Sequence, residues 1–327
     1  MKKYNVAVVG ATGLVGRTIL KVLEERNFPI DKLILLASGR SKGEEITYGG
    51  RKEVVDELRE DSFENDIDIA FFAAGGSISE KYAPIAASKG VIVIDNSSVF
   101  RMNDNVPLVV PEVNSEDIFL NKGIIANPNC STIQCMLPLK AIDKEYTIKR
   151  VVYSTYQSVS GSGLKGLKDL EEEKVEFYPY GIKGNVLPHI DVFLENGYTK
   201  EEMKMIEESR KILHRNDLKV TATTVRVPVK FSHSVSINIE LEEEFDLGAI
   251  RESLSSYPGI VVKDNPKKNE YPMPIDTQGR DEVYVGRIRR DFSTEYGLNI
   301  WVVADNIRKG AATNAVQIAQ VLISKED

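Results

Sequence analysis

Length, composition and charge limit what this chain can be. It has 327 residues, of which 42% are hydrophobic and 28% charged, and a formal net charge of −7. This length allows two domains or one large one, and the composition is typical of a globular protein. The negative charge argues against nucleic acid or a membrane surface as partner. We find no membrane-spanning run, signal peptide, disulfide framework or metal-ligand spacing, and therefore expect a cytoplasmic protein without a metal.

A glycine-rich turn near the N-terminus is the most informative segment. The apolar run Tyr4–Val9 predicts a strand, and a helical run begins at Arg17. Between them lies Gly10-Ala11-Thr12-Gly13-Leu14-Val15-Gly16. Glycines here let the backbone approach a pyrophosphate, and the helix N-terminus offers it free N–H groups. The spacing differs from the standard G-x-G-x-x-G fingerprint, so a plain helix-capping turn is the alternative.

The loop after the second predicted strand bears on the choice of cofactor. Residues 32–37 predict a buried strand, because a continuous apolar run follows Lys32, and Ser38-Gly39-Arg40-Ser41-Lys42 comes after it. A chain that binds NAD usually carries Asp or Glu at this distance from the glycine turn. Hydroxyls and two cations suit the 2′-phosphate of NADP instead, so we favour NADP over the alternative of a solvated surface loop.

Further strands predict a parallel sheet. They lie at residues 68–74, 91–94 and 123–126. The first of them runs into Gly75, after which Ser77 and Glu80 predict a capping box for the next helix. Strands that alternate with helices indicate parallel pairing with right-handed crossovers, and ligands bind at the carboxyl ends of such strands.

Cys130 is the candidate nucleophile. It lies in Asn127-Pro128-Asn129-Cys130-Ser131-Thr132, immediately before a helical run that includes Cys135. A helix N-terminus lowers the pKa of a thiol, and the thiolate is the reactive form in covalent catalysis. The alternative for Cys130 is a buried structural thiol, and Cys135 is expected to be a core residue.

A cysteine beside a nicotinamide site suggests one chemistry. The thiolate adds to an aldehyde, the thiohemiacetal gives a hydride to NADP⁺, and a second nucleophile cleaves the resulting thioester. These reaction steps need an acid–base group whose pKa is near neutral, and histidine is the usual choice. The chain contains three histidines, His189, His214 and His233.

After about Lys149 the pattern predicts a mostly antiparallel or mixed sheet. Residues 150–159 alternate as a strand and meet Ser160-Gly161-Ser162-Gly163, which either approaches the cofactor or is a plain loop. Residues 220–233 form a further segment that contains Pro228, residues 234–241 alternate as a strand, and later strands are predicted at residues 283–288 and 298–303. Residues 174–198 show no clear period and receive no assignment. Residues 308–324 predict an amphipathic helix that begins with small residues.

Residues 199–213 predict a helix that starts with a capping box. Thr199 and Glu202 have the required spacing. The predicted buried stripe consists of Met203, Ile206, Arg210 and Leu213. Glu201 and Lys204 are one turn apart and off this stripe, so they should face solvent or a wet cleft. A surface ion pair is the alternative.

Arg226 and His233 are candidates for one site despite their spacing. They are an odd number of positions apart, so on one straight strand they would face opposite sides of the sheet. Pro228 makes an uninterrupted central strand unfavourable, and a bend there would bring both side chains to one place.

Together these motifs resemble the bacterial aspartate-β-semialdehyde dehydrogenases over the whole chain. Further motifs that carry the resemblance are Asp95-Asn96-Ser97-Ser98 with Arg101, Pro111-Glu112-Val113-Asn114, Gln157 with residues 160–163, and Arg226 with His233. The resemblance implies an α/β fold with two domains. Residues 1–128 and 308–327 would form a Rossmann-like, parallel-sheet NADP domain. Residues 129–307 would form an α+β catalytic and dimerisation domain with a mostly antiparallel or mixed sheet.

The resemblance also implies the reaction. NADP-dependent reductive dephosphorylation would convert L-4-aspartyl phosphate to L-aspartate 4-semialdehyde, reversibly and through a thioacyl cysteine, in lysine (diaminopimelate), methionine and threonine biosynthesis. It implies Cys130 as nucleophile, His233 as acid–base group and Gln157 as the residue that orients the intermediate. The implied partners are the small-molecule substrates and a second copy of the chain, in some members a tetramer, without nucleic acid or membrane.

The same resemblance assigns binding residues. Arg101 and Lys204 would hold phosphate, Arg226 the substrate carboxylate and Glu201 its amino group, while Asn129 contributes beside the nucleophile. We prefer Glu201 to Glu202 because the capping box already explains Glu202. The implied cofactor-binding residues are Gly10, Thr12, Gly13, Leu14, Val15, Ser38, Arg40, Ser41, Gly75, Ser160, Gly161 and Asn314.

Two other functions compete with this one. An N-acetyl-glutamyl-phosphate reductase uses the same chemistry, but an acetylated amine does not need an anionic partner such as Glu201. A non-catalytic dinucleotide sensor on the same fold would not need Cys130, Gln157, Arg226 and His233 together.

Overall fold

The computed structural model describes residues 2–64 and 66–325. The strands are β1 (Tyr4–Val9), β2 (Ile30–Ala37), β3 (Glu45–Tyr48), β4 (Arg51–Glu57), β5 (Ile69–Phe72), β6 (Ile92–Asp95), β7 (Ile124–Ala126), β8 (Ile148–Gln157), β9 (Lys219–Arg226), β10 (His233–Leu241), β11 (Ile260–Val262), β12 (Val283–Asp291) and β13 (Gly297–Ala304). The helices are α1 (Leu14–Glu25), α2 (Gly76–Ser88), α3 (Pro111–Asn114), α4 (Cys130–Asp143), α5 (Gly163–Glu171), α6 (Lys200–Ile212), α7 (Leu247–Ser256), α8 (Pro274–Thr277) and α9 (Asn314–Ser324).

The chain divides into two compact units. The first unit contains the described residues up to Pro128 together with those from Ala311, and the second unit is Asn129–Gly310. A π-helical turn, Arg308–Thr313, precedes α9.

The sheet of the first unit has the strand order β3-β4-β2-β1-β5-β6-β7. Every neighbouring pair is parallel except β3 with β4, so the predicted parallel sheet is confirmed. The β3–β4 hairpin at its edge was not predicted. Gly49 and Gly50 connect the two strands with φ of 55° and 75°, values that glycine adopts readily in a two-residue hairpin turn.

Both faces of this sheet are buried. In β1, Val6 and Val8 belong to a core cluster that includes side chains of α1 and α9. Ala7 and Val9 point the other way and join a cluster that includes side chains of α2. The continuous apolar strands seen in the sequence therefore follow from a sheet that is covered on two sides.

The sheet of the second unit is mixed, as predicted, with the order β11-β12-β13-β10-β8-β9. The pairs β11–β12 and β8–β9 are parallel and the central pairs antiparallel. Helices α4, α6 and α7 pack against its strands. Alternate residues of β8, β9 and β10 that include Gln157, Arg226 and His233 are buried on one face, whereas Tyr156 on the other face is 41% exposed.

Two predicted helix starts were wrong. Helix α1 begins at Leu14 rather than Arg17, and its N-cap is Gly13. The predicted capping box of Ser77 and Glu80 does not form, because α2 begins at Gly76 with Gly75 as its N-cap. Gly75 has a φ of 94°, a backbone conformation that glycine adopts readily, and the helix therefore begins before the predicted cap at Ser77.

The predicted stripe of α6 was also wrong in part. Met203 and Arg210 are only half-buried. The buried residues of this helix are Glu201, Glu202, Met205, Ile206, Glu208, Ser209 and Ile212. This face is polar because it contributes carboxylates to a hydrogen-bond network, which a search for apolar side chains does not detect. In the C-terminal segment, the predicted helix at residues 308–324 begins with the π-helical turn, and α9 itself starts at Asn314.

Within the described part of the chain, each helix is too short or too polar to cross a lipid bilayer. The same residues include no cluster of His, Cys, Asp and Glu side chains that could hold a metal ion.

Candidate active site

Cys130 is the first residue of α4, so the prediction that it lies at a helix N-terminus is confirmed. Asn129 is the N-cap, and its side-chain oxygen accepts hydrogen bonds from the backbone N–H of Ser131 at 2.9 Å and of Thr132 at 3.3 Å. Gly310 packs against the cysteine so closely that a Cβ there would be 2.8 Å from the Cβ of Cys130. Cys135 is buried within α4, as predicted.

A buried carboxylate joins the start of α4 to β8. The Nδ2 of Asn129 donates to Oε1 of Glu201 at 2.9 Å, and the Nε2 of Gln157 donates to the same oxygen at 3.0 Å. Thr155 donates in turn to Oε1 of Gln157 at 3.0 Å. Glu208 accepts the backbone N–H of Asn129 at 2.7 Å. The residue beside the thiol and the predicted orienting glutamine therefore share Glu201.

Glu201 is 5% exposed, so the expectation that it faces solvent or a wet cleft was wrong. Its Oε2 pairs with the ammonium of Lys204 at 3.0 Å, and Lys204 also pairs with Asp191 at 2.7 Å. Burial alone would raise the pKa of Glu201. The Lys204 charge and hydrogen bonds from Gln157, Asn129 and Lys204 outweigh burial and lower this pKa to about 2. Glu201 is thus an anion at neutral pH.

The structure brings Arg226 and His233 together. Strand β9 ends at Arg226 and β10 begins at His233, and the connection contains Pro228 and Ser232, which has a φ of 71°. A Cβ at Gly161 would be 3.0 Å from Nη1 of Arg226 and 3.3 Å from Nε2 of His233. The predicted bend is therefore confirmed.

Strand register explains this grouping. Gln157 pairs with Arg226 across the parallel β8–β9 ladder. In the antiparallel β8–β10 ladder, Tyr156 pairs with Ser234, the residue after His233. All three candidate side chains thus lie at one end of the sheet and on one face. The helix with Cys130 packs on this region, because Nε2 of Gln134, one turn after the cysteine, donates to the carbonyl of His233 at 3.2 Å.

Arg226 and His233 each have one buried side-chain nitrogen that makes no hydrogen bond to the described residues. Nη1 of Arg226 donates to the carbonyl of Ser158 at 2.6 Å, while its Nε has no hydrogen-bond partner in the described structure. Nδ1 of His233 accepts the backbone N–H of Ser158 at 2.9 Å, and its Nε2 is likewise without a partner among the described residues. Unsatisfied buried nitrogens are rare in proteins and are typical of a place where a ligand binds.

Burial and the charge of Arg226 depress the pKa of His233. Against the opposing influence of Glu201 and the backbone of Ser232, the value falls from 6.5 to about 3. His233 is therefore a neutral imidazole at physiological pH.

In the first unit the glycine turn has the close packing that the motif predicts. Gly10 has a φ of 86°, and a Cβ on it would be 2.8 Å from the backbone of Ala73. A Cβ on Gly16 would be 2.2 Å from the carbonyl oxygen of Gly10. No side chain among the described residues caps α1, so Leu14 and Val15 begin the helix with backbone N–H groups free of a side-chain cap.

The loop after β2 forms a 3₁₀ turn, Gly39–Ser41, with Ser38 as N-cap. Ser38 and Arg40 are exposed, and the hydroxyls of Thr12 and Ser41 are 3.4 Å apart. Lys42 pairs with Asp56 at 3.2 Å, so one of the two predicted cations already has an acidic partner.

Arg101 and Asn314 form a second polar group in the first unit. The guanidinium of Arg101 donates to the carbonyls of Asn127 at 3.0 Å and Asn96 at 2.9 Å. The Nδ2 of Asn314 donates to the side chain of Asn127 at 2.7 Å and to the carbonyl of Val109 at 2.9 Å. These bonds hold the segments that follow β6 and β7.

Several polar neighbours were missed by the sequence analysis. They are Ser158, Asp191, Glu208 and Asn306. Tyr178, from the segment that received no assignment, places its ring 6.0 Å from the guanidinium carbon of Arg226. None of these residues lies in a recognisable motif, and only the tertiary fold brings them to the site.

The first unit has a dinucleotide-type glycine turn on a parallel sheet. In the second unit, a helix that starts at a cysteine packs against the strand that carries His233, which lies beside Arg226. These features define a dinucleotide-binding dehydrogenase. Comparisons with known proteins agree. A family model described as "Semialdehyde dehydrogenase, NAD binding domain" matches residues 5–120, and one described as "Semialdehyde dehydrogenase, dimerisation domain" matches residues 139–309.

Relatives that match nearly the whole chain identify the family within this class of dehydrogenases. The chain is 57% identical to an aspartate-semialdehyde dehydrogenase of Aquifex aeolicus, with 98% of each chain covered. It is 48% identical to that of Bacillus subtilis, with 97% of each covered. The crystal structure of aspartate semialdehyde dehydrogenase II of Vibrio cholerae complexed with ASA has a TM-score of 0.97 and 44% identity, with 100% of each chain covered. The chain belongs to the aspartate-semialdehyde dehydrogenase family.

Proposed function

We propose that this chain catalyses the reversible, NADP-dependent reductive dephosphorylation of L-4-aspartyl phosphate to L-aspartate 4-semialdehyde, and thereby serves lysine, methionine and threonine biosynthesis. Family membership supports the reaction class. The observation that carries the proposal is the position of Cys130, at the start of α4 beside a residue that shares Glu201 with Gln157.

We assign the covalent step to Cys130. The helix N-terminus favours the thiolate, which attacks the acyl carbon; the carbon–oxygen bond to phosphate breaks, and phosphate leaves with its electron pair. NADPH, when bound, supplies the hydride that reduces the thioester. Collapse of the tetrahedral oxyanion then breaks the carbon–sulfur bond, which releases the aldehyde and restores the thiolate.

Two further side chains would act on the carbonyl group that reacts. Gln157 is held at both ends of its amide, by Thr155 and by Glu201, so its orientation is fixed before substrate binds. His233, with its unpartnered Nε2, is the acid–base group that the family resemblance implies for the carbonyl oxygen.

Charges in the second unit suit an amino acid substrate. Ionised Glu201 would bind the substrate ammonium, and the unpartnered Nε of Arg226 would bind its carboxylate. A buried anion at Glu201 favours a free amine over an acetylated one, which argues against the N-acetyl-glutamyl-phosphate substrate. We retain Lys204 and Arg101 as proposed phosphate ligands and Asn129 as a substrate contact.

The first unit suits a phosphorylated dinucleotide. Gly10 and Gly16 let the backbone segments of the turn pack too closely for any side chain, and no side chain among the described residues caps the start of α1, so the residues fit a pyrophosphate bound by backbone N–H groups. Exposed Arg40 with the hydroxyls of Ser38 and Ser41 would hold the 2′-phosphate of NADP. The remaining proposed contacts are Thr12, Gly13, Leu14, Val15, Gly75, Ser160, Gly161 and Asn314.

We further propose a cytoplasmic homodimer that forms through the second unit. The face of its sheet opposite α4 and α6 leaves Tyr156 exposed and Ser154 and Ser236 half-buried, as expected for a surface that a second copy covers. In this proposal residues 1–128 and 308–327 bind the cofactor, and residues 129–307 carry catalysis and dimerisation.

The test is an absorbance assay for NADPH with aspartate semialdehyde, NADP⁺ and phosphate. We expect turnover that requires phosphate, loss of turnover in Cys130→Ala with NADP binding intact, and nearly normal turnover in Cys135→Ala. An absence of turnover in the wild type, or turnover only with N-acetyl-glutamate semialdehyde, would refute the assignment.

A further inference from the structure

Residues 176–187, which lie in the stretch that the sequence left without an assignment, contact both the backbone and the side chain of Arg226. The backbone N–H of Arg226 donates to the carbonyl of Leu187 at 2.8 Å, and the N–H of Leu187 donates back at 2.9 Å. Tyr178 is 7% exposed, and the guanidinium carbon of Arg226 lies over its ring, 6.0 Å from the ring centroid. This segment therefore surrounds the residue to which we assign the substrate carboxylate.

Arg226 carries a buried positive charge that no carboxylate neutralises directly. The residue is 5% exposed, and it forms no ion pair with any other described residue. Buried charges in proteins are usually paired with an opposite charge. The Nε of Arg226 also lacks a hydrogen-bond partner in the described part of the chain. The side chain therefore has both the charge and the free donor that an incoming carboxylate requires.

The ring of Tyr178 is a neutral partner for this cation. Burial raises the pKa of Tyr178 against the opposing effect of the Arg226 charge, so the phenol stays protonated at neutral pH. The face of an aromatic ring attracts a guanidinium group electrostatically. Unlike a carboxylate, the ring face does not take up the N–H groups in the guanidinium plane. These groups therefore remain available for a carboxylate of the substrate.

Contacts with α5 hold the ring of Tyr178 in place. Its hydroxyl donates to the hydroxyl of Ser162 at 3.0 Å. Asp169 on α5 is 2% exposed and accepts the backbone N–H groups of Phe177 and Tyr178, both at 2.9 Å. Burial alone would raise the pKa of Asp169, but hydrogen bonds from the backbone outweigh burial and lower it, so these bonds are charge-assisted. A Cβ at Gly166 would be 2.6 Å from the phenol oxygen, so glycine lets the ring lie against this helix.

We propose that Tyr178 is a positioning residue for substrate specificity, whose ring, held by Asp169 on α5, fixes the guanidinium of Arg226 in one orientation without neutralising it. A substrate with a carboxylate then meets donors that are already oriented, and binding does not have to order a long, flexible side chain. This inference rests on the proposed function and extends it to the residues that prepare the carboxylate site.

Kinetics of ring variants test the positioning role. Tyr178→Leu keeps an apolar side chain but removes the aromatic face, and should raise KM for aspartate semialdehyde about fivefold or more, with kcat and KM for phosphate each within about twofold of wild type. Tyr178→Phe keeps the ring and should leave KM for the semialdehyde within about twofold. Tyr180→Leu is the matched control, because Tyr180 is 68% exposed, and should change none of these constants. A fall in kcat with both KM values altered together would show a merely structural role and overturn the inference.

Asp169→Asn tests the support that α5 gives to the ring. The amide has the same shape but no charge, so its hydrogen bonds to the segment with Tyr178 are weaker, and KM for the semialdehyde should rise about threefold. Asp246→Asn is the matched control. Asp246 accepts the backbone N–H of Ala249 at 2.9 Å at the start of α7, and its amide should leave KM unchanged. An unchanged KM in Asp169→Asn would show that α5 does not hold the ring for this purpose.

An NMR measurement separates this inference from the proposed function, because it needs no turnover. In the full-length protein labelled with ¹⁵N-arginine, the Nε–H signal of Arg226 can be assigned by its loss in Arg226→Lys. We expect this signal to shift or broaden in Tyr178→Leu and to stay in place in Tyr180→Leu. If Tyr178→Leu does not fold, Asp169→Asn decides by the same readouts. An unchanged signal would overturn the inference even in an inactive protein, and an active enzyme in which KM for the semialdehyde is unchanged would refute it and leave the proposed reaction in place.

Discussion

Replacing Glu201 by Gln should damage both stability and substrate use, because the structure makes this residue a buried anion. The pKa of Glu201 falls from 4.5 to about 2 in the folded protein. At about 1.4 kcal/mol for each pKa unit, ionised Glu201 contributes about 3 kcal/mol to folding at pH 7. Since the folded-state pKa is the lower one, this contribution is present above pH 4.5 and is lost as the pH falls towards 2.

The same substitution should weaken substrate recognition. A hydrogen bond to a charged group contributes about 1.5–3 kcal/mol, so losing the anion that pairs with a substrate ammonium should lower kcat/KM by roughly 10- to 150-fold. Steady-state kinetics with aspartate semialdehyde measure this effect. Urea unfolding, followed by the fluorescence of Trp301 in β13, measures the stability of the second unit at pH 7 and pH 3.

Glu202→Gln is the matched control. Glu202 accepts hydrogen bonds from the backbone N–H of Thr199 at 2.7 Å and of Thr224 at 3.0 Å. The Glu202→Gln substitution should therefore lower the free energy of unfolding by roughly 1–3 kcal/mol and leave kcat/KM within about twofold of the wild-type value. If Glu202→Gln abolishes substrate use while Glu201→Gln does not, the two roles are reversed. If the destabilisation by Glu201→Gln is equally large at pH 3, our electrostatic account of this residue is wrong.

Three further substitutions test other parts of the site. Gly161→Ala places a methyl group against Nε2 of His233 and Nη1 of Arg226, and should lower kcat/KM at least about tenfold. Gly181→Ala is the control, because among the described residues the first neighbour of its Cβ is Val175 at 4.0 Å, and it should leave kcat/KM unchanged. Equal activities of the two variants would show that the substrate does not use the space beside Gly161. Arg226→Lys should raise KM for the semialdehyde about tenfold or more, because an ammonium lacks the bidentate fork, and an unchanged KM would remove the carboxylate assignment. Arg40→Asp should shift the ratio of kcat/KM values from NADP⁺ towards NAD⁺, and an unaltered ratio would exclude a 2′-phosphate role.

The sequence correctly predicted the structural features that depend on neighbouring residues alone. The glycine turn after β1 requires small residues at fixed positions, and Asn129 with Cys130 has the composition of a helix start. Pro228 gave the physical reason for a bend between Arg226 and His233. These features were predicted because backbone conformation and short-range hydrogen bonds determine them.

Tertiary contacts determined the features that the sequence did not predict. Glu201 is buried because it bonds residues 72 and 44 positions away, Asn129 and Gln157, and no helical period contains that information. Asn306 reaches Ser158 across 148 positions. The β3–β4 hairpin was missed because most residues of its two strands are polar and exposed or half-buried, although Gly49-Gly50 is a typical two-residue turn.

Trapping the acyl-enzyme tests the central claim most directly. The protein is mixed with aspartate semialdehyde and NADP⁺ in the absence of phosphate, acid-quenched, digested and analysed by mass spectrometry. We predict a burst of about one NADPH per active site and an aspartyl thioester that peptide fragmentation locates on Cys130, and that phosphate discharges. A burst without modification of Cys130, or the same adduct on Cys135, would contradict the account.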